Sequence, residues 1–202
     1  MKGLTLPNFD SRSVFVGKTG CGKTTLAEKI CSAFDYCVIL DSKGELNWKG
    51  YEIVKSLNDL KQARSGRVIW QPNIYEQNVE SYEDFFKWIY DRKNTVVYID
   101  EVLAICKNSQ SLPFWYKAIL TRGRSRGIGC LNSTQAPVYI PHFILSQSEH
   151  FFVFQMRLDS DREKIEKITG IDKNDLDGLK NHEFYYADDK TFFPKKLKLR
   201  LH

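Results

Sequence analysis

Gly17-Lys18-Thr19-Gly20-Cys21-Gly22-Lys23-Thr24 satisfies the spacing G-x-x-x-x-G-K-[ST], and Val14-Phe15-Val16 just before it is the short apolar strand such a loop needs. The spacing has a physical reason. Gly17, Gly20 and Gly22 let the backbone curl so that successive N–H groups point inward at a β-phosphate, at the positive end of a helix starting near Lys23. Lys23 then reaches the β/γ oxygens as a point charge, and the Thr24 hydroxyl is placed to ligate Mg2+. Thr25 opens the helical continuation, in which Leu26 and Ile30 recur one turn apart. Residues 17–25 are therefore the expected nucleoside triphosphate (ATP) binding set. A structural glycine turn is a poor rival, because a chance match in a chain of this length is expected in under about one percent of sequences.

Working outward, residues 36–40 form a continuous apolar run ending at Asp41, the pattern of a parallel strand buried on both faces. Residues 67–70 make a third short strand, stopped by Gln71-Pro72. Residues 79–90 set Phe85, Phe86, Trp88 and Ile89 among charges, which suits a helix lying on a sheet. A fourth strand covers 95–99, and Pro113 fits the first turn of a helix over 114–120 running toward Arg122. Strands over 128–133 and 150–155, a helix over 160–169 and a terminal β-hairpin around 184–186 and 191–193 complete the chain. Strands alternating with helices specify an α/β fold with a largely parallel central sheet flanked by helices. With 202 residues and no repeat or linker, residues 1–202 read as a single domain.

Asp100 and Glu101 follow the fourth strand directly, at the carboxyl end of a sheet, where open α/β folds place their ligands. An acid there holds Mg2+, which assigns Asp100 with Thr24 to the metal, and Glu101 adds a carboxylate positioned to polarise the attacking water. Hydrolysis needs that second acid, whereas a small-molecule kinase must exclude water and bind an acceptor. Gln135, after the fifth strand, offers a neutral amide that can touch the γ-phosphate or the water. Between them, Arg122, Arg124 and Arg126 sit among Gly123 and Gly127. Guanidinium groups there suit a finger completing a neighbour's active site, phosphates of a nucleic acid, or merely an exposed basic turn.

The formal net charge is +5, from 30 basic and 25 acidic residues, and it is unevenly spread. Lys190, Lys195, Lys196, Lys198 and Arg200 form an acid-free tail whose period-two alternation would give a strand with one basic and one apolar face. Such a strand could lie along a nucleic-acid backbone or an acidic partner, or be a solvated edge whose lysines prevent aggregation. No stretch approaches the roughly 20 apolar residues of a transmembrane segment, and the N-terminus lacks the apolar core of a signal peptide. The expectation is an intracellular, soluble protein. Five cysteines without a C-x-x-C pair read as reduced and mostly buried, with a Cys31–Cys37 bridge as the alternative. His142, His150, His182 and His202 lack metal-ligand spacing, and Trp48, Trp70, Trp88 and Trp115 read as core or interface aromatics.

Taken together, the phosphate loop, the strand ending Asp41-Ser42-Lys43-Gly44-Glu45, the run Val96-Val97-Tyr98-Ile99-Asp100-Glu101, the segment Gly123-Arg124-Ser125-Arg126-Gly127 and the turn Ser133-Thr134-Gln135-Ala136-Pro137 resemble the FtsK/HerA superfamily of ring-forming DNA-pumping ATPases. The likeness runs from about residue 13 to residue 155. The small size looks most like the genome-packaging ATPases of internal-membrane icosahedral viruses, above all those of the turreted icosahedral viruses of Sulfolobus. The resemblance implies a RecA-like P-loop NTPase core, self-association into a ring, and threading of double-stranded DNA into a preformed capsid at a vertex or beside an inner-membrane protein. The expected location is the host cytoplasm, with virion association. Carried over by position, Lys23, Glu101 and Gln135 are catalytic, and Arg122 or Arg124 acts in trans. Glu45 would tune the site, while Lys43, Lys49, Lys107 and Asn108 are candidates for the DNA channel. Competing expectations are a cellular HerA-like translocase or helicase partner, a nucleotide-gated assembly protein and a small-molecule kinase.

Overall fold

In the computed structural model, which describes residues 7–106, 111–189 and 193–200, Arg12–Val16 (β1), Cys37–Leu40 (β2), Glu52–Val54 (β3), Arg67–Trp70 (β4), Thr95–Ile99 (β5), Ile128–Thr134 (β6) and His150–Phe154 (β7) run parallel. Glu183–Asp188 (β8) and Lys195–Lys198 (β9) add an antiparallel hairpin. Among the described residues the sheet order is β3-β4-β2-β5-β6-β1-β7-β8-β9. The inner strands are apolar because both of their faces are covered.

Alternation along each inner strand divides the interior into two cores. Val14 and Val16, Val38 and Leu40, and Val97 and Ile99 point to one side; Phe15, Ile39, Val96 and Tyr98 point to the other. The first side receives Val79–Arg92 (α3) and Phe114–Arg122 (α4). The second receives Lys23–Cys31 (α1) and the stacked pair Phe15–Phe152, with ring centroids 4.6 Å apart. Helix α3 starts where the Asn78 side chain accepts the Ser81 N–H at 2.9 Å, and it buries Tyr82, Phe85, Phe86 and Ile89, one stripe at helical spacing. Glu83 on its flank accepts the first backbone N–H groups of α4, from Phe114 and Trp115, and so sets one helix against the other.

The structure corrects the sequence reading at several places. Strand β3 and the helix Leu57–Gln62 (α2), capped by Ser56, were not expected, because Glu52 and Ile53 are exposed and carry no alternating apolar signal. Short helices at His142–Ser146 (α5) and Lys173–Asp177 (α7) were likewise missed, whereas Asp159–Thr169 (α6) falls where expected. The second arm of the terminal hairpin is β9 and not 191–193: Phe193 lies outside the strand, and Thr191 and Phe192 lie outside the described residues. Pro113 precedes α4 as its N-cap residue instead of sitting in the first turn. All five cysteines are free thiols, Cys31 and Cys37 included.

Asp41 anchors the turn after β2. It is fully buried, and its carboxylate accepts from the N–H of Lys43 (3.2 Å), Gly44 (3.0 Å) and Leu46 (2.8 Å) and from the Gln71 amide (2.8 Å). Gly44, at φ 72°, turns the chain in the left-handed region that glycine tolerates. Asp41→Ala would orphan these donors in the interior, and it is expected to cost about 2–4 kcal/mol in denaturant unfolding. A loss below about 0.5 kcal/mol would mean that water replaces the carboxylate.

Candidate active site

Residues 17–22 leave β1 between the ends of its two neighbours. The Gly17 N–H donates to the Thr134 carbonyl at 3.3 Å, and the Lys18 N–H donates to the Gln155 carbonyl at 2.8 Å. The loop is thereby stapled to the ends of β6 and β7. Gly17 leaves no room for a side chain, since a Cβ there would sit 2.6 Å from the Phe154 Cβ. Gly22, at φ 110°, is the N-cap of α1, so the loop ends on the exposed N–H groups of a helix.

Lys23 is almost wholly buried, and its ammonium donates to the carbonyls of Gly17 (2.7 Å) and Lys18 (2.9 Å). Burial pushes its pKa down, while Cys21, Glu101 and Asp100 act to hold the proton on. The amine thus stands ready above the loop in a region of reduced dielectric, where its attraction for phosphate is strongest. Cys21 is buried inside the loop and burial raises its thiol pKa, so it is packing and not a nucleophile.

Asp100 follows β5. Its Oδ1 accepts from the buried Tyr98 hydroxyl at 2.8 Å and from the Thr24 hydroxyl at 3.2 Å. The hydroxyl and carboxylate converge at the loop as hard oxygen donors, the kind Mg2+ takes together with phosphate oxygens and water. Glu101 lies alongside with its side chain only 13% exposed and Oε2 4.0 Å from the Lys43 ammonium. Its Oε1 is buried without a hydrogen-bond partner. Burial raises the Glu101 pKa above the ordinary glutamate value; the Thr134 hydroxyl, Lys43, a backbone hydrogen bond and Lys23 oppose that rise. A carboxylate with a raised pKa and an unsatisfied oxygen suits a general base.

Gln135 completes the group. Strand β6 is inserted between β1 and β5, with Thr134 level with Val16 and Asn132 level with Ile99. Gln135 therefore emerges between the phosphate loop and the carboxylates, and its Oε1 accepts from the Thr19 hydroxyl at 2.7 Å. Thr25 lines the opposite flank of the loop. The expected set from Gly17 to Thr25, with Asp100, Glu101 and Gln135, is thus gathered at one end of the sheet.

The arginines are not. Arg122 and Arg124 precede β6 at its amino end, a strand length of roughly 20 Å from the loop. Arg122 is exposed at the end of α4. Arg124 pairs with Glu149 at 2.6 Å and approaches Asp10 at 4.0 Å, while Arg126 lies 4.1 Å from the Tyr90 ring centroid. Lys43, expected in a DNA channel, pairs with Glu101; Lys49 and Glu45 are exposed. Lys107 and Asn108 lie outside the described residues.

The sequence reading missed Arg157 and His182. Arg157 shares a cavity of about 260 Å3 with Lys18, Thr19, Gln135 and Asp161. It follows a parallel strand beside β1, so the rule that picked out Gln135 would have found it had the neighbour of β1 been known. His182 reaches the loop from the turn before β8, and no local signal marks it.

Glu101→Gln is expected to lower hydrolysis at least about a hundredfold while ATP still binds within a few-fold, read by turnover and equilibrium titration. Only the ionised carboxylate accepts a proton, so turnover is expected to rise as pH rises through the raised Glu101 pKa and to be lost below it. Lys43→Ala removes one influence that lowers this pKa, and the acid limb of the pH–rate profile should move to higher pH. A limb that stays put would show that Lys43 does not act on Glu101.

Residues 13–114 match the family model described as ATPase family associated with various cellular activities (AAA). The chain is 27% identical to the DNA packaging ATPase P9 of Enterobacteria phage PRD1 over 91% of its own length and 85% of the relative. Among solved structures it is similar to the genome packaging NTPase B204 of Sulfolobus turreted icosahedral virus 2, with TM-score 0.80 and 22% identity over 96% of this chain and 100% of that one. VirB4 of Thermoanaerobacter pseudethanolicus gives TM-score 0.69 at 11% identity, covering 99% of this chain and 94% of that one, a likeness of fold. A family model spanning half of the chain, on a fold whose strand ends carry the phosphate loop, the paired acids and the glutamine, identifies this chain as a P-loop ATPase that belongs to the ATPase family associated with various cellular activities.

Proposed function

We propose that this ATPase is the motor that moves double-stranded DNA into a viral capsid. The observation that carries the motor reading is the division of its polar residues between the two ends of the sheet. One end gathers the phosphate loop, Asp100, Glu101 and Gln135, and the other presents Arg122 and Arg124 to solvent, a strand length away. A ring would bring one subunit's arginines to the next subunit's phosphates, so that hydrolysis is completed between copies. The packaging reading rests on the two viral relatives, which this chain matches over nearly its whole length.

In this reading Lys23 and the loop N–H groups hold the β/γ oxygens, and Thr24 and Asp100 hold Mg2+, which would neutralise phosphate charge. Glu101 takes the proton of the attacking water. Gln135, tied to Thr19 on the loop, reports whether the γ-phosphate is present. No base-reading element is needed, and the grip on DNA is through phosphates, sequence-independent and salt-sensitive. The motor would work in the host cytoplasm, docked on a capsid vertex or an inner-membrane protein of the particle. Among the described residues no helix is long and apolar enough to cross a membrane.

The test is turnover with and without double-stranded DNA, at low and high salt and across protein concentrations. Specific activity that climbs with concentration and with DNA, and whose DNA response fades with salt, is the expected result. A fixed rate indifferent to DNA would point to an acceptor substrate or an assembly role instead. Arg122→Ala and Arg124→Ala separate the finger candidates: the true one should lose about a thousandfold in turnover. Mixed with Glu101→Gln subunits, which keep their arginines, it should regain activity that neither parent has.

A further inference from the structure

Among the described residues, two cavities lie beside the phosphate loop. The larger holds Lys18, Thr19, Gln135 and Arg157, between the loop and the ends of β6 and β7. The smaller, about 140 Å3, is lined by Gly20, Gly22, Lys23, Thr24, Thr25 and His182. A triphosphate whose γ end faces Gln135 and whose β-phosphate meets Lys23 must send its α-phosphate and nucleoside the other way, past Thr25. His182 stands there.

The backbone holds this residue in place from both sides. Its N–H donates to the Cys21 carbonyl at 3.0 Å, and its carbonyl accepts from the Leu199 N–H at 2.8 Å, so the turn before β8 is sewn to the phosphate loop and to the end of β9. Its φ of 66° lies in the left-handed region, which few residues with a side chain adopt, histidine and asparagine being among those that tolerate it. The ring reaches Gly22: a Cβ built there would lie 3.0 Å from the His182 Cδ2. Gly22 thus serves a second purpose, leaving room for an aromatic ring directly against the loop.

We propose that the His182 imidazole is the wall against which the nucleoside of the bound nucleotide packs, its face on the base and its ring N–H toward the ribose. Stacking of a base on an aromatic ring contributes usefully to affinity and tolerates different bases. His182 is thereby a nucleoside-positioning residue of the ATPase site. The inference rests on that site and is independent of DNA packaging.

The experiment compares ATP with inorganic tripolyphosphate, which carries the phosphates and no nucleoside. His182→Asn is the variant of choice, because asparagine accepts the left-handed backbone and removes the ring. ATP affinity is expected to fall about tenfold while tripolyphosphate affinity changes less than about twofold. Unchanged ATP affinity, or equal losses for both ligands, would overturn the proposal, the latter by showing that His182 acts only through the shape of the loop. Should His182→Asn melt early, the wild-type imidazole resonances decide: they should shift with ATP and not with tripolyphosphate, and the same shift with both would refute the nucleoside contact.

Discussion

The insertion of β6 between β1 and β5 is the constraint on which the site depends. Were β1 and β5 direct neighbours, the loop and the carboxylates would face each other with nothing between them. With β6 in place, its end delivers Gln135 into the gap, and the Thr134 carbonyl accepts the Gly17 N–H that begins the loop. The register is not free to slip. Asn132, Ser133 and Thr134 are buried at the end of a strand whose earlier residues, Ile128, Cys130 and Leu131, are core, so a shift by one would drive polar groups into the apolar layers on both faces.

The local pattern carried the parallel strands and the loop because each is dictated by near neighbours in sequence. Val14-Phe15-Val16 and the run from Val96 to Ile99 must be buried on both faces, and the glycine spacing serves one kind of ligand. Asp100, Glu101 and Gln135 were legible as strand-end residues for the same reason. What escaped depends on chain pairing over long distances. Strand β3 exists because β4 offers it an edge, and Glu52 and Ile53 say nothing of that. The hairpin partner of β8 was set by pairing of Phe184 with Leu197, which the neighbouring aromatic pair Phe192-Phe193 obscured. Arg157, His182 and the Lys43–Glu101 pair are tertiary juxtapositions with no spacing to read.

Two buried charges at the nucleotide end, Lys23 and Glu101, are arranged so that neither is fully matched. Lys23 leans on backbone carbonyls instead of a carboxylate, and Glu101 has one oxygen near Lys43 and the other unsatisfied. Burial lowers the pKa of the amine and raises that of the acid, which are opposite departures within one site. A protein optimised only for stability would pair these groups, because unpaired buried charge is costly. Held apart, each keeps its capacity for a ligand: the amine for phosphate oxygens, the carboxylate for a proton from water.

The same comparison bears on Arg124 at the far end. Its guanidinium already has partners, Glu149 at 2.6 Å and Asp10 at 4.0 Å, and an arginine committed to an ion pair is a questionable finger. The exposure of Arg124 bears on the difficulty. The Arg124 side chain is 57% exposed, so its attraction to Glu149 is weakened by solvent, whereas a phosphate in a subunit interface would offer more negative charge in a drier setting. Glu149 would not be stranded by the exchange, because Arg12 remains beside it at 3.1 Å. The acid can therefore hold Arg124 in position in the free chain and release it on assembly without leaving a buried charge unpaired, which is what a finger acting only between neighbours requires.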